Sequence, residues 1–190
     1  RSADTLQARV EQAIASGFEK GLVEDAVFSS SEAQAEAFWL LRDSVAPAER
    51  AKGPAVQHDI SVPVARMPDF VDHAIATIEA AHPGVQAIAF GHLGDGNVHF
   101  HVISPKGSTL ELWESGQAKQ ISREVHDLVV AWGGSISAEH GIGQIKRTEL
   151  ERLGDPVALQ LMRAVKKALD PAEILNPGKL VSLAPGHSNA

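Results

Sequence analysis

Apolar positions along this 190-residue chain recur at two spacings, and the switches between them outline a fold. Leu6, Val10 and Ile14 are spaced by fours with alanines between, which predicts a helix ending near Gly17. Ser29 and Glu32 read as a capping box that opens a second helix through Ala37, Phe38, Leu40 and Leu41. Pro47 and Gly53-Pro54 break that pattern. From His58 to Val64 the spacing becomes that of a strand, with Pro63 favouring its edge or end. Phe70, Val71, Ala74, Ile75 and Ile78 return to helical spacing, closed by His82-Pro83-Gly84. Val85 to Phe90 is a nearly continuous apolar run, consistent with a buried strand. Val98, Phe100 and Val102 then alternate with His99 and His101, so the next strand carries histidines on one face and apolar residues on the other. Ile121, Val125, Leu128, Val129 and Trp132 mark an amphipathic helix stopped by Gly133-Gly134. Asp155-Pro156 caps a last helix carrying Leu159, Met162, Val165 and Leu169, ended by Asp170-Pro171. Helices interleave with strands, and the hairpin through Gly94-Asp95-Gly96 makes at least one pair antiparallel. The expected class is α+β, an antiparallel sheet covered by helices.

Composition narrows the function classes. The net charge of −7 and a pI near 5.7 argue against a nucleic-acid surface. No run approaches the ~20 apolar residues of a membrane span, and Arg1-Ser2-Ala3-Asp4 is no signal peptide. The chain has no cysteine, so a disulfide framework is excluded and any metal must take His and carboxylate ligands. Lack of cysteine also fits a cytoplasmic location. The first residue is not Met and the first periodic segment starts at once, which reads as a fragment of a longer chain. Residues 1–182 are expected to form one domain and 183–190 a disordered tail.

Candidate chemistry gathers in two glycine-rich segments. In Gly91-His92-Leu93-Gly94-Asp95-Gly96-Asn97-Val98-His99, His92 ends one strand and His99 lies near the start of the next. Cross-strand neighbours have Cβ atoms roughly 5 Å apart, close enough for two imidazoles to share one cation. Asp95 or Asn97 could lock the turn, and Asp95 could instead orient a ligand imidazole. The alternative is a purely structural hairpin. In Ser137-Ala138-Glu139-His140-Gly141-Ile142-Gly143, Glu139 would complete a His, His, carboxylate set with an open position for substrate. His140, adjacent in sequence, is better cast as a general base than as a fourth ligand. Gly141-Ile142-Gly143 starts like a dinucleotide fingerprint, but Lys146 stands where the third glycine belongs, and there is no Walker loop. His73, His82 and His126 read as surface residues.

Gly91–His99, Ser137–Gly143 and the closing Leu175-Asn176-Pro177-Gly178-Lys179-Leu180 resemble the C-terminal domain of the FAD-linked oxidase family, which includes D-2-hydroxyglutarate and D-lactate dehydrogenases and the glycolate oxidase flavin subunit. Trp39-Leu40-Leu41-Arg42 and His58-Asp59-Ile60-Ser61-Val62-Pro63 extend the similarity from about Leu22 to Leu180. The resemblance implies a ferredoxin-like cap (substrate) domain of an FAD-dependent enzyme that oxidises a D-2-hydroxy acid. A full relative has an N-terminal FAD-binding domain, to which nothing in this sequence corresponds. His92, His99 and Glu139 would bind zinc or a similar divalent ion, and His140 would be the catalytic base. Arg42 would pair with the substrate carboxylate, His101 would contact substrate, and Asn176 lies in a segment that approaches the flavin. Gln57 and His101 stand where relatives often have Lys and Asn, and loss of that cation favours a smaller or less charged acid. The expected partners are a small 2-hydroxy acid, the FAD-binding domain of the same protein and a second copy of the chain, as a homodimer. A flavin oxidase of another substrate class and a standalone metal- or partner-binding module are the competing readings.

Overall fold

The computed structural model describes residues 3–183, with the side chains of 5–45 and 47–183. Apart from Leu183, the expected tail lies outside the described residues. Packing divides the chain into two compact units, Arg1–Ala48 and Glu49–Ala190.

In the first unit, α1 spans Ala3–Glu19 and α2 spans Glu32–Asp43. The cap of α2 lies two residues beyond the expected Ser29–Glu32 box. Ser31 is extended and its hydroxyl accepts the Gln34 N–H (3.2 Å), while Gln34 Oε1 accepts from Ser30 N (2.7 Å). The capping pair is therefore Ser31 and Gln34, and Glu32 falls in the first turn, where its charge meets the positive end of the helix dipole. α3 (Val45–Arg50) runs across the boundary between the units. Pro47 does not break structure here. It sits in the first turn of α3, where a missing N–H removes no intrahelical bond.

The second unit contains β1 (Ala55–Ser61), a 3-10 turn (Val64–Arg66), α4 (Met67–Ala81), β2 (Gln86–His92) and β3 (Asn97–Ile103). It continues with α5 (Leu110–Ser115), α6 (Gln117–Ala131), α7 (Arg147–Leu153) and α8 (Pro156–Leu169). The sheet is antiparallel, as the α+β reading expected, and its strand order is β1-β3-β2. β1 begins three residues earlier than the expected strand and stops at Ser61, because Pro63 leads into the 3-10 turn.

Register decides what each sheet face carries. β3 pairs His58 with Phe100 and Ile60 with Val98 on one side, and Ala89 with Phe100 on the other. Those apolar positions share a face and pack against Phe70, Ala74 and Ile78 of α4 and Ile121, Val125 and Val129 of α6. Each such large side chain contributes roughly 1.5–3 kcal/mol through burial. Asp59 and Phe90 both pair with His99, and Gln57 and Ile88 pair with His101. Side chains alternate along a strand, so the polar candidates occupy the other face.

His82 and His126 are not surface residues. Both are buried: His82 Nε2 meets Glu124 Oε2 at 2.7 Å, and His126 Nδ1 meets Glu149 Oε2 at 3.3 Å. Each lies on an inward position where a neighbouring carboxylate offsets desolvation. His73 is exposed, with its ring 5.5 Å from that of Trp132. Among the described residues, no helix is long and apolar enough to cross a membrane.

Candidate metal and catalytic site

The hairpin between β2 and β3 is closed at both ends of its turn. Gly96 N–H donates to His92 O (3.1 Å), and Asp95 Oδ1 accepts the Asn97 N–H (2.9 Å). Asp95 thus locks the turn, one of the two roles open to it from sequence. Gly96 adopts φ +80°, and a Cβ there would lie 2.1 Å from Val62 O, so only glycine fits. The imidazoles of His92 and His99 come to 5.9 Å between ring centroids.

The second segment reaches this hairpin through β1. Ser61 and Ser135 exchange backbone hydrogen bonds (3.0 and 2.8 Å), which starts the 135–140 loop beside the strand end. Asp59 Oδ2 then accepts three consecutive backbone N–H groups, from Ala138 (3.2 Å), Glu139 (3.0 Å) and His140 (2.8 Å). Lys146 Nζ donates to Asp59 O (3.1 Å) and Ile136 O (2.8 Å), tying strand and loop a second time. Glu139 Oε1 consequently lies 3.9 Å from His92 Nε2. One ligand atom each from His92, His99 and Glu139 falls within 4.8 Å of the others. The three residues singled out from sequence do meet.

His140 stands beside this trio. Its ring is 6.3 Å from that of His99, and its Nδ1 is 3.8 Å from Asp59 Oδ2. Its side chain is 70% exposed. Asp59, Glu139 and His140 also bring ligand atoms within 4.8 Å, but Asp59 Oδ2 already accepts three N–H groups. The other Asp59 oxygen is buried without a partner, as is the side-chain amide of Asn97.

Burial pushes the His99 pKa down, outweighing the opposing charges of Asp59 and Glu139, so its lone pair is available. At Asp59, burial alone would raise the pKa. The N–H groups of His140 and Glu139 and the charges of His140 and Lys146 outweigh burial, and the net direction is down.

Other candidates sit as follows. His101 lies two residues along β3 from His99 and forms a buried hydrogen bond with Glu49, whose other oxygen accepts from Gln57 Nε2 (3.3 Å). Arg42 is on α2 in the first unit, 3.4 Å from Asp43. Asn176 adopts φ +51° in a segment whose continuation docks on the 143–147 loop, with Leu180 N to Gly143 O at 2.9 Å. Sequence reasoning missed Asp59 and Glu49. An acid between the inward-facing His58 and Ile60 was the available signal for Asp59; Glu49 lay in a segment with no legible period. A cleft of about 770 Å³, lined by His58, Ser122, Arg123, His126 and Lys146 among others, contains none of the trio.

Residues 1–180 match the family model described as FAD linked oxidases, C-terminal domain. The chain is 36% identical over 179 residues to a D-2-hydroxyglutarate dehydrogenase of Stutzerimonas stutzeri, covering 93% of this chain and 38% of that protein. A mitochondrial D-2-hydroxyglutarate dehydrogenase of Bos taurus is 36% identical over 94% of this chain and 31% of its own length. An uncharacterized FAD-linked oxidoreductase of Mycobacterium tuberculosis is 37% identical over 77% of this chain and 28% of its own length. The chain therefore spans less than two fifths of the curated relatives it matches.

Proposed function

This chain belongs to the FAD linked oxidase C-terminal domain family, and from that premise we propose that it is the substrate- and metal-binding part of an FAD-dependent enzyme oxidising a D-2-hydroxy acid to a 2-oxo acid. The observation that carries the proposal is the convergence of His92, His99 and Glu139 beside the open His140.

A nitrogen, nitrogen, oxygen donor set suits zinc, and three protein ligands leave a position for substrate. A neutral His99 fits that role. A divalent cation held by these residues supplies Lewis acidity that lowers the pKa of a substrate hydroxyl. FAD, when bound, supplies the hydride acceptor. His140 is the base. Asp59 lies on its Nδ1 side, so the hydroxyl proton is taken at Nε2. His101, held by Glu49, lines the same sheet face and orients the rest of the acid. Arg42, as the partner of the substrate carboxylate, and Asn176, as a flavin-side residue, enter on the sequence resemblance. The FAD-binding domain of the same protein is the proposed partner, and relatives long enough to hold one support it. Freedom from cysteine fits the cytoplasm, although relatives such as the Bos taurus protein are named mitochondrial.

The test combines metal content with flavin reduction in the full-length protein. We expect close to one zinc per chain, lost in His99→Ala, and bleaching of the flavin by a D-2-hydroxy acid but not its L-enantiomer. Unchanged zinc in His99→Ala would remove the metal site. Zinc without flavin reduction by any 2-hydroxy acid would leave a binding module instead of an oxidoreductase.

A further inference from the structure

The ligand Glu139 and the base His140 lie in a loop, yet a metal site demands tight placement of its donors. The loop is flanked by Gly134 and by Gly141, the latter at φ +77°, and it belongs to no helix or paired strand beyond the Ser61–Ser135 bridge. That bridge and the Lys146 Nζ to Ile136 O bond hold its first half, and one carboxylate oxygen holds residues 138–140. Three successive N–H groups converging on a single anion make a nest, a concavity that binds negative charge. Here the anion is an internal side chain, Asp59 Oδ2, buried and bonded to Ala138, Glu139 and His140 at 2.8–3.2 Å.

Asp59 is itself fixed. It sits within β1 with its Cα directly opposite His99, and its carbonyl oxygen accepts from Lys146. One residue therefore sets the register between a strand ligand, a loop ligand and the base. Resting on the metal reading above, we propose that Asp59 is a positioning residue: its carboxylate clamps the 138–140 backbone so that Glu139 faces His92 and His99 while His140 stays free beside them.

The clamp requires an acceptor able to serve three donors. Asp59→Asn keeps the shape but offers one neutral carbonyl oxygen, with an amide that cannot accept from N–H groups. In the full-length protein, zinc competition with a chromophoric chelator should show Asp59→Asn still taking up the wild-type zinc complement at saturation. Its affinity should be about 10–100-fold weaker, the usual effect of losing a residue that orients a ligand. Its kcat should fall more than its KM rises. His82→Gln, which removes a buried histidine hydrogen-bonded to Glu124, is the stability control. It should lower the melting temperature and leave zinc affinity unchanged.

Wild-type zinc affinity in Asp59→Asn would overturn the inference, as would an affinity loss matched by His82→Gln. Loss of one zinc from a two-zinc wild type would overturn it too, because Asp59 would then be a ligand. The metal reading fails separately, through retention of zinc in His99→Ala. If Asp59→Asn does not fold, hydrogen exchange on the metal-free wild type decides. The amides of Ala138, Glu139 and His140 should exchange far more slowly than those of an unbonded loop, and loop-like exchange would refute the clamp.

Discussion

His58 Nδ1 lies 2.9 Å from Phe100 O, and its Nε2 lies 3.0 Å from Ser122 Oγ. A carbonyl can only accept, so Nδ1 carries the hydrogen and the Ser122 hydroxyl donates to Nε2. Both nitrogens are thus satisfied in the neutral ring, and burial, which disfavours the charged form, pushes the pKa down to about 3. The unfolded chain titrates this histidine near 6.5, so below that pH it binds a proton that the folded chain refuses. The contribution is fully present above pH 6.5 and is lost as pH falls toward 3. Between pH 7 and pH 5 that loss is about 2 kcal/mol from His58 alone. Burial shifts His126 in the same direction and adds to it. Urea denaturation at the two pH values should show the drop, and His58→Gln should narrow it. Equal stability at pH 7 and pH 5 would mean that His58 is protonated in the fold. At this scale the sequence yields residue types but not partners. His82 and His126 looked like helix-surface histidines because nothing local announces Glu124 or Glu149, which lie 42 and 23 residues away. His92, His99 and Glu139 were legible because glycines and a hairpin confine them, whereas Asp59 acts on a loop some eighty residues downstream.

The hairpin is the element that brings His92 and His99 together in the proposed metal site. At Gly91 the two strands approach so closely that a Cβ would lie 2.1 Å from Asn97 O. Gly91→Ala must therefore splay β2 from β3 at the point where His92 and His99 leave the sheet. It should cost about 1–3 kcal/mol, as overpacking does, and weaken zinc binding at least tenfold. Gly94→Ala is the matched control, because a Cβ there meets nothing within 4 Å. It should leave both stability and zinc affinity close to wild type, and a deficit equal to that of Gly91→Ala would show that turn flexibility matters instead of strand approach. Elements with a sustained period were readable in advance: α4, α6, α8, β2 and β3 all appear where apolar spacing put them. The three short helices α3, α5 and α7 were not, since six or seven residues fall short of two turns and give periodicity little to act on. β1 was displaced because its alternation continues through Val62 and Val64, beyond the last paired residue.

Across the whole molecule, apolar burial is unevenly shared. The core is drawn from the second unit, whose sheet and α4 and α6 hold the fully buried side chains. In the first unit α2 buries no residue, and Phe38, Trp39, Leu40 and Leu41 are all exposed. A 12-residue helix that buries none of its side chains is marginal in water, and a run of exposed apolar side chains marks a surface that binds something. The relatives extend well beyond the region matched here, and the proposed FAD-binding domain is the partner such a surface would meet. Hydrogen exchange reads this directly. In the 190-residue chain alone, amides of Glu32–Asp43 should exchange orders of magnitude faster than those of Asn97–Ile103 and Gln117–Ala131. In the full-length protein the α2 amides should slow substantially while those of β3 and α6, already at the limit set by global unfolding of the core, change little. If α2 exchanges equally fast in both, its apolar run faces neither the flavin domain nor any other part of the same chain.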